Sequence, residues 1–263
     1  MSGLDHTFAG DPRLPAILFL HGFMGSGADW ASEISVLDEH FYCVAPDLPG
    51  HGSSLALPPD AYTIEGTTRA LLDLLDELGI TRAALVGYSM GGRLALYLAL
   101  RRPERCSCLC LESASPGIEE PAERRARRKA DEERARRLES GDLASFLKNW
   151  YRQPLFASLA RREGLLRETI EARMRNDRGE LARSLRGLGI GNQPSLWDEL
   201  GALQVPALAV AGDLDERHVG ISTRMASLSP RIRAAVVPGA GHNVHLESPE
   251  EYLALLKRFL DTR

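Results

Sequence analysis

Nowhere in the 263 residues does an uninterrupted apolar run approach the roughly 18 that a membrane-spanning helix requires. Residues 1–15 have neither the basic start nor the apolar core of a secretory signal, so the expected location is cytoplasmic. Cysteine is scarce as well. Of the four, Cys43 stands alone, and Cys106, Cys108 and Cys110 alternate along an expected strand. Alternation sends those three to one face of a sheet, which suits packing and suits neither a disulfide framework nor a tetrahedral metal site. No metal or redox role is therefore expected. There is no internal repeat, and the only biased tract is an arginine/glutamate-rich stretch at residues 119–139. A hydrophobic fraction of 44% with 26% charged residues excludes disordered and collagen-like chains.

Net charge is −4, but the sign varies along the chain. Residues 117–200 hold 18 Lys+Arg against 15 Asp+Glu, a net of +3, leaving 14 against 21, a net of −7, elsewhere. The basic residues are interleaved with glutamates and carry no groove-reading or aromatic motif, so nucleic acid is not the expected partner. A small anionic molecule is. Most of these arginines are expected to be ordinary helix surface.

Outside that segment, short apolar runs alternate with helix-like ones, the pattern of a mainly parallel sheet flanked by helices. Strands are expected at residues 16–20, 42–45, 83–86, 106–111, 207–211 and 234–237, and helices at 64–78, 92–101, 221–228 and 249–260. With so little chain before residue 16, the N-terminal hairpin of such a fold must be short or partly missing. From 117 to 200 the strand pattern vanishes. Residues 119–139 are charged nearly all round, and 143–151 and 159–174 carry apolar residues at helical spacing. The expected organisation is an α/β core of residues 1–116 and 201–263, with a helical cap, 117–200, inserted after the sixth core strand.

The chemistry is signalled by Gly87-Tyr88-Ser89-Met90-Gly91, between an apolar run and a helical one. A G-x-S-x-G strand–turn–helix is a nucleophile elbow, in which glycines permit a turn tight enough to lift the hydroxyl clear of the backbone. The run at 207–211 ends in Gly212-Asp213-Leu214-Asp215, and that at 234–237 ends in Pro238-Gly239-Ala240-Gly241-His242. A serine, an acid and a histidine thus follow separate strands in the α/β-hydrolase chain order. His242 is favoured over His245, which is expected at the edge of the next helix. Asp215 is favoured over Asp213 by the G-x-x-D spacing, with Glu112, after the preceding strand, a third candidate. Backbone amides of Met90 and of Phe23, from the His21-Gly22-Phe23 turn, are placed to stabilise developing negative charge. His51, in Asp47-Leu48-Pro49-Gly50-His51-Gly52, reads as turn structure.

Arg93 is the second residue of the expected helix behind the elbow, where the dipole disfavours a cation. Something anionic should compensate it, either a structural carboxylate or that of a substrate.

Taken together, Phe19-Leu20-His21-Gly22-Phe23-Met24-Gly25-Ser26, the 47–52 loop, Gly87-Tyr88-Ser89-Met90-Gly91-Gly92-Arg93, Trp150-Tyr151-Arg152-Gln153-Pro154-Leu155-Phe156 and Gly239-Ala240-Gly241-His242-Asn243 resemble the 2-succinyl-6-hydroxy-2,4-cyclohexadiene-1-carboxylate synthases of menaquinone and phylloquinone biosynthesis. The likeness runs over nearly the whole chain, and Gly91-Gly92-Arg93 and the cap run ending Gln153-Pro154-Leu155-Phe156 are its most particular parts. It implies an α/β-hydrolase fold and a triad of Ser89, Asp215 and His242. It also implies substrate-binding roles for Tyr88, Arg93 and Trp150, for Arg127 before Asp131, and for Arg173 before Asn176. Crowding at Arg124, Arg125, Arg127 and Arg128 leaves the first cap arginine open by a residue or more. The implied reaction is elimination of pyruvate from a tricarboxylate without a cofactor, Ser89 relaying a proton. The alternatives are a hydrolase of a carboxylate-bearing ester or ring-cleavage C–C bond using the same triad, and a silent ligand-binding protein on this fold.

Overall fold

A computed structural model describes residues 3–262. Seven strands form one sheet in the order β1-β3-β2-β4-β5-β6-β7: β1 (His6–Ala9), β2 (Ala16–Leu20), β3 (Tyr42–Pro46), β4 (Ala83–Tyr88), β5 (Cys106–Glu112), β6 (Ala207–Gly212) and β7 (Ile232–Val237). All neighbours run parallel except β1, which pairs antiparallel with β3. The N-terminal part of the sheet is therefore the single short strand β1, and the cap follows the fifth strand rather than the sixth.

Successive side chains of a strand face opposite ways, and both faces are dry. Leu18 and Leu20 pack with Leu71, Leu94 and Met225 on one side, and Ile17 and Phe19 with Trp30 and Leu256 on the other. The first layer is made by α2 (Ile64–Glu77), α3 (Met90–Arg101) and α9 (Glu216–Leu228), and the second by α1 (Ala31–Leu37) and α11 (Pro249–Leu260). Burial on both faces explains why the core strands read as continuous apolar runs.

The four cysteines are all buried and none is in a disulfide, and burial pushes the Cys43 thiol up to about 12. They do not share a face, however. Cys108 and Cys110 join Cys43 on the α1/α11 side, whereas Cys106 faces the other way. The β4–β5 register slips between Ala83 and Leu85, pairing Ala83 with Cys106 but Leu85 with Leu109. One extra residue on β5 inverts the alternation.

Between β5 and β6 lie only helices: α4 (Pro121–Ser140), α5 (Leu143–Tyr151), α6 (Ala157–Ala160), α7 (Glu163–Arg173) and α8 (Arg178–Leu188). The single helix expected at 159–174 is broken at Arg161–Arg162 into α6 and α7. Helix α8, which the sequence reading missed, is capped by Asp177, whose side chain accepts the Glu180 N–H at 2.9 Å. Helix α4 buries only Asp131, Ala135 and Leu138, and is tied to α8 by Arg186, which bonds Glu132 and Glu139. Apolar side chains of α4, α5 and α8 cluster around Met24, a core residue, which seats the cap over the ends of the strands. A four-residue helix, α10 (Val244–Glu247), precedes α11. No helix among the described residues is long and apolar enough to cross a membrane.

Candidate active site

The elbow is forced by crowding. A Cβ on Gly91 would lie 2.1 Å from the Leu20 carbonyl oxygen, and one on Gly87 would lie 2.6 Å from the Gly91 backbone. Ser89 itself sits at φ +49° and ψ −104°, a conformation that costs a non-glycine residue about 1–3 kcal/mol. The turn persists because the Ser89 N–H donates to the Glu112 carbonyl at 2.8 Å and the Ser89 carbonyl accepts the Arg93 N–H at 3.0 Å. The hydroxyl is thereby presented above the sheet at the start of α3.

Ser89 Oγ lies 3.3 Å from His242 Nε2, and His242 Nδ1–H donates to Asp215 Oδ2 at 2.7 Å. His242 is 3% exposed. Burial lowers its pKa, outweighing Asp215. Burial alone would raise Asp215, but hydrogen bonds from His218 and His242 hold it well below the usual carboxylate range. Of the three candidate acids, Asp215 reaches His242. Asp213 instead accepts the Gly239 N–H at 2.8 Å. Glu112 holds His245, the rival histidine, whose Nδ1 is 2.8 Å from both carboxylate oxygens.

These residues open into a cavity of about 600 Å³ floored by Tyr88, Ser89 and Met90 and roofed by Trp150, Leu155 and Phe156. Phe23 and Met90 both line it. As the first residue of α3, Met90 has an N–H that the helix does not use. The Phe23 turn is braced by neutral His21, whose Nε2 accepts the Leu48 N–H at 2.9 Å while Nδ1–H donates to the Gly22 carbonyl at 2.7 Å. His51 is fully buried, its ring edge-on to those of His21 and Phe23 at 5.0 and 5.6 Å, and is turn structure as expected.

The expected substrate-binding residues all line the cavity, on different terms. Tyr88 donates its hydroxyl to Asn243 Oδ1 and packs its ring between His242 and His245, so only its ring is free to meet a ligand. The Trp150 ring stands 5.4 Å from Phe23, beneath the Arg134 guanidinium. Arg93 has no carboxylate partner among the described residues. It donates to Gln193 Oε1 and, at 3.1 Å, to the Leu188 carbonyl, and burial followed by the nearby Arg127 charge brings its pKa down to about 9. Of the crowded α4 arginines, Arg127 faces the cavity and Arg124, Arg125 and Arg128 do not. Its Nε–H donates to both oxygens of Asp131 at 2.9 Å, one turn on, and Arg134 donates to the same carboxylate at 2.8 Å.

Arg173 differs most from what its motif implies. Its two Nη groups already form a bidentate pair with Asp29 at 2.6 and 2.7 Å, and its Nε–H is buried with no partner. Asn176 binds the Arg173 and Met24 carbonyls, so the R-x-x-N pattern closes the end of α7 against the core.

Cavity residues that the sequence reading missed include Arg134, His218, Ser113 and Ser184. Ser113, at φ +46°, and Ser184 are buried with hydroxyls that have no protein partner. His218 carried no signal in the sequence, because Asp215 caps a helix that starts at Glu216, ahead of the expected start at 221. Asp215, His218 and His242 are the described group with metal-ligand spacing, their donor atoms all within 4.8 Å of one another. Both histidines donate Nδ1–H to the same carboxylate oxygen, Asp215 Oδ2.

A model of the α/β hydrolase fold matches residues 15–249; with the sheet order, the elbow and the serine–histidine–aspartate geometry, it defines the class of protein. Similarity is closer at the level of named relatives. A Serratia proteamaculans (strain 568) 2-succinyl-6-hydroxy-2,4-cyclohexadiene-1-carboxylate synthase is 35% identical over 254 residues, 95% of each chain. A Bacillus subtilis (strain 168) protein provisionally given the same name is 37% identical over 93% of this chain and 90% of its own. The solved structure of MenH from S. aureus superposes with a TM-score of 0.93 at 32% identity over 98% of both chains. The chain belongs to the 2-succinyl-6-hydroxy-2,4-cyclohexadiene-1-carboxylate synthase family of α/β-hydrolase-fold proteins.

Proposed function

We propose that this protein is a carbon–oxygen lyase that eliminates pyruvate from 2-succinyl-5-enolpyruvyl-6-hydroxy-3-cyclohexene-1-carboxylate, giving 2-succinyl-6-hydroxy-2,4-cyclohexadiene-1-carboxylate. The observation that carries this reading is the pairing of a serine–histidine relay with Arg93, a cation facing the same cavity with no carboxylate partner among the described residues. An anion-bearing substrate would relieve that arrangement, whereas a neutral ester would not. The family membership supports it.

In this reading Ser89, its own proton passing to His242, removes the ring proton next to the succinyl carbonyl. The negative charge moves onto that carbonyl oxygen, where the Met90 and Phe23 amides receive it; such donors are worth about 3 kcal/mol each. The enolate then collapses. Its carbonyl re-forms as a new C2–C3 ring double bond is made, the original C3–C4 double bond moves to C4–C5, and the C5–O bond breaks to release the enolate of pyruvate, which takes the proton from His242 and becomes pyruvate. His242 holds the proton that balances the step, and Asp215 fixes its tautomer and stabilises the imidazolium. Arg93 and Arg127 hold carboxylates, Trp150 and the Tyr88 ring supply the apolar walls, and Arg173 contributes its charge and its free Nε–H. No cofactor enters. The core of residues 1–116 and 201–263 carries the relay, and the 117–200 cap carries the cationic roof.

The test is to supply the enolpyruvyl precursor and follow pyruvate. Release far faster than cleavage of aryl esters is expected, with Ser89→Ala and His242→Ala each removing nearly all of it and the double variant losing little more, because the pair acts as one unit. Efficient ester turnover without pyruvate release would transfer the protein to the hydrolases.

A further inference from the structure

Asp215 is shared. Its Oδ2 accepts Nδ1–H bonds from two histidines, His242 at 2.7 Å and His218 at 2.7 Å, while Oδ1 accepts the His218 backbone N–H at 3.2 Å. The two imidazole rings stand 4.7 Å apart at 54°. His218 lies in the first turn of α9, with its side chain 13% exposed and lining the cavity beside His242.

We propose that His218 is a positioning residue for the proton relay: it holds the Asp215 carboxylate in register for His242 and, by occupying the same oxygen, keeps His242 a weaker base than an unshared aspartate would make it. This rests on the Ser89–His242–Asp215 relay proposed above.

Two imidazole N–H groups compete for a single acceptor, Asp215 Oδ2. A carboxylate oxygen that already takes one imidazole N–H carries less charge for the next, so the imidazolium form of His242 is stabilised less. Any positive charge on His218 would repel the imidazolium across the short gap between the rings. Both effects favour neutral His242, the form that can accept the serine proton. The carboxylate also gains a second restraint on its rotation, since His218 binds it through both ring and backbone. The other ionisable groups around the pair are Tyr88, whose ring stands 5.4 Å from that of His242 and whose hydroxyl is given to Asn243; Asp213 in the same turn, engaged with Gly239; Glu216 and Arg217 on α9; Glu112 at the end of β5, which acts on His242 through space; and the cap's Arg162, bonded to the Gly239 and Glu247 carbonyls. Among the described contacts, Asp215 and its own backbone cap hold His218, and no charged residue of the cap does.

The test compares the whole protein with His218→Phe, which keeps a ring of similar size but no donor, and His218→Asn, which returns an N–H near the position of Nδ1. The primary readout is the titration of the His242 imidazole by nitrogen-15 NMR, which needs no turnover. In His218→Phe the His242 midpoint should rise by about half a unit to one unit, and the acid limb of kcat/KM should move up with it. The plateau kcat should fall several-fold with KM little changed, and His218→Asn should recover most of both effects. An unchanged His242 midpoint in His218→Phe would overturn the proposal, as would equal loss of kcat in both variants without any shift in midpoint, which would mark His218 as structural support for α9. Absence of pyruvate release from the unaltered protein would count against the proposed substrate alone, since the NMR titration reads the histidine directly.

Discussion

His245 Nδ1 lies 2.8 Å from each carboxylate oxygen of Glu112, and neither residue is more than 3% exposed. The runner-up histidine and the runner-up acid are thus partners of each other, beneath the Tyr88 ring and against Trp30, whose indole stacks on the imidazole at 4.6 Å. Burial alone would lower His245, but Glu112, helped by Glu33 and Asp29, raises its pKa above the ordinary value. A histidine with a raised folded pKa stabilises the fold fully below its unfolded value of about 6.5, and that stabilisation is lost as pH rises through the folded value. Glu112→Gln breaks a buried pair and should cost about 3–5 kcal/mol at acid pH. The gap in unfolding free energy from the unaltered protein should narrow as pH is raised. A gap that stays constant with pH would show that the pair is held neutral.

Substitution separates the acids by activity. Asp215→Asn should lower kcat by about three to four orders of magnitude, and Asp213→Asn, which at most weakens the bond from the Gly239 N–H, by less than about tenfold. The reverse ranking in pyruvate-release rates would show that the Asp215–His242 bond is not the working one.

The pH–rate profile should reflect the burial of His242. With its pKa lowered, the relay stays neutral under mildly acid conditions, and the acid limb of kcat/KM should fall below the ordinary histidine value of about 6.5. A limb above that value would mean that Asp215 outweighs burial.

Arg93→Ala should lower kcat/KM for the tricarboxylate by about two to three orders of magnitude, the loss of a charge-assisted pair of roughly 3 to 4 kcal/mol. Lysine should restore it only in part, since it keeps the charge without the planar fork. Residual esterase activity on a neutral substrate should hardly change, and a polycarboxylate ligand should raise the Tm of the unaltered protein more than that of the variant. Equal losses on neutral and anionic substrates would make Arg93 a support for the elbow, through its bonds to Gln193 and Leu188.

The Asp29–Arg173 pair predicts a different phenotype from Arg93. Asp29 is held below its ordinary pKa because Arg173 outweighs burial, and the pair joins the core to the cap. Asp29→Asn should destabilise the protein by about 3–5 kcal/mol, seen as a lowered Tm. A loss below about 1 kcal/mol would place the pair among weak surface bridges.

What the sequence determined by itself follows from local rules. Two-sided burial makes the core strands legible as apolar runs, and the elbow's glycines are dictated by backbone crowding within a few residues, so the sheet, the α3 start and Ser89 could be read directly. The order serine, acid, histidine was legible for the same reason, each residue ending a strand. The N-cap geometry of Asp215, by contrast, starts α9 at Glu216, five residues before the expected start. Tertiary structure decided everything that depends on meeting a distant partner. Only packing shows that Glu112 is engaged by His245, that Arg173 faces Asp29 across 144 residues while Arg93 meets Gln193 and Leu188, or that a register slip turns Cys106 away from Cys108 and Cys110. His218 joins Asp215 within one helical turn, yet its competition with His242 exists only because β6 and β7 are neighbours in the sheet. The physical reason is common to all of these: a charged side chain's role is set by which opposite charge the fold brings within hydrogen-bonding distance in a dry interior, and that pairing is encoded by no spacing along the chain.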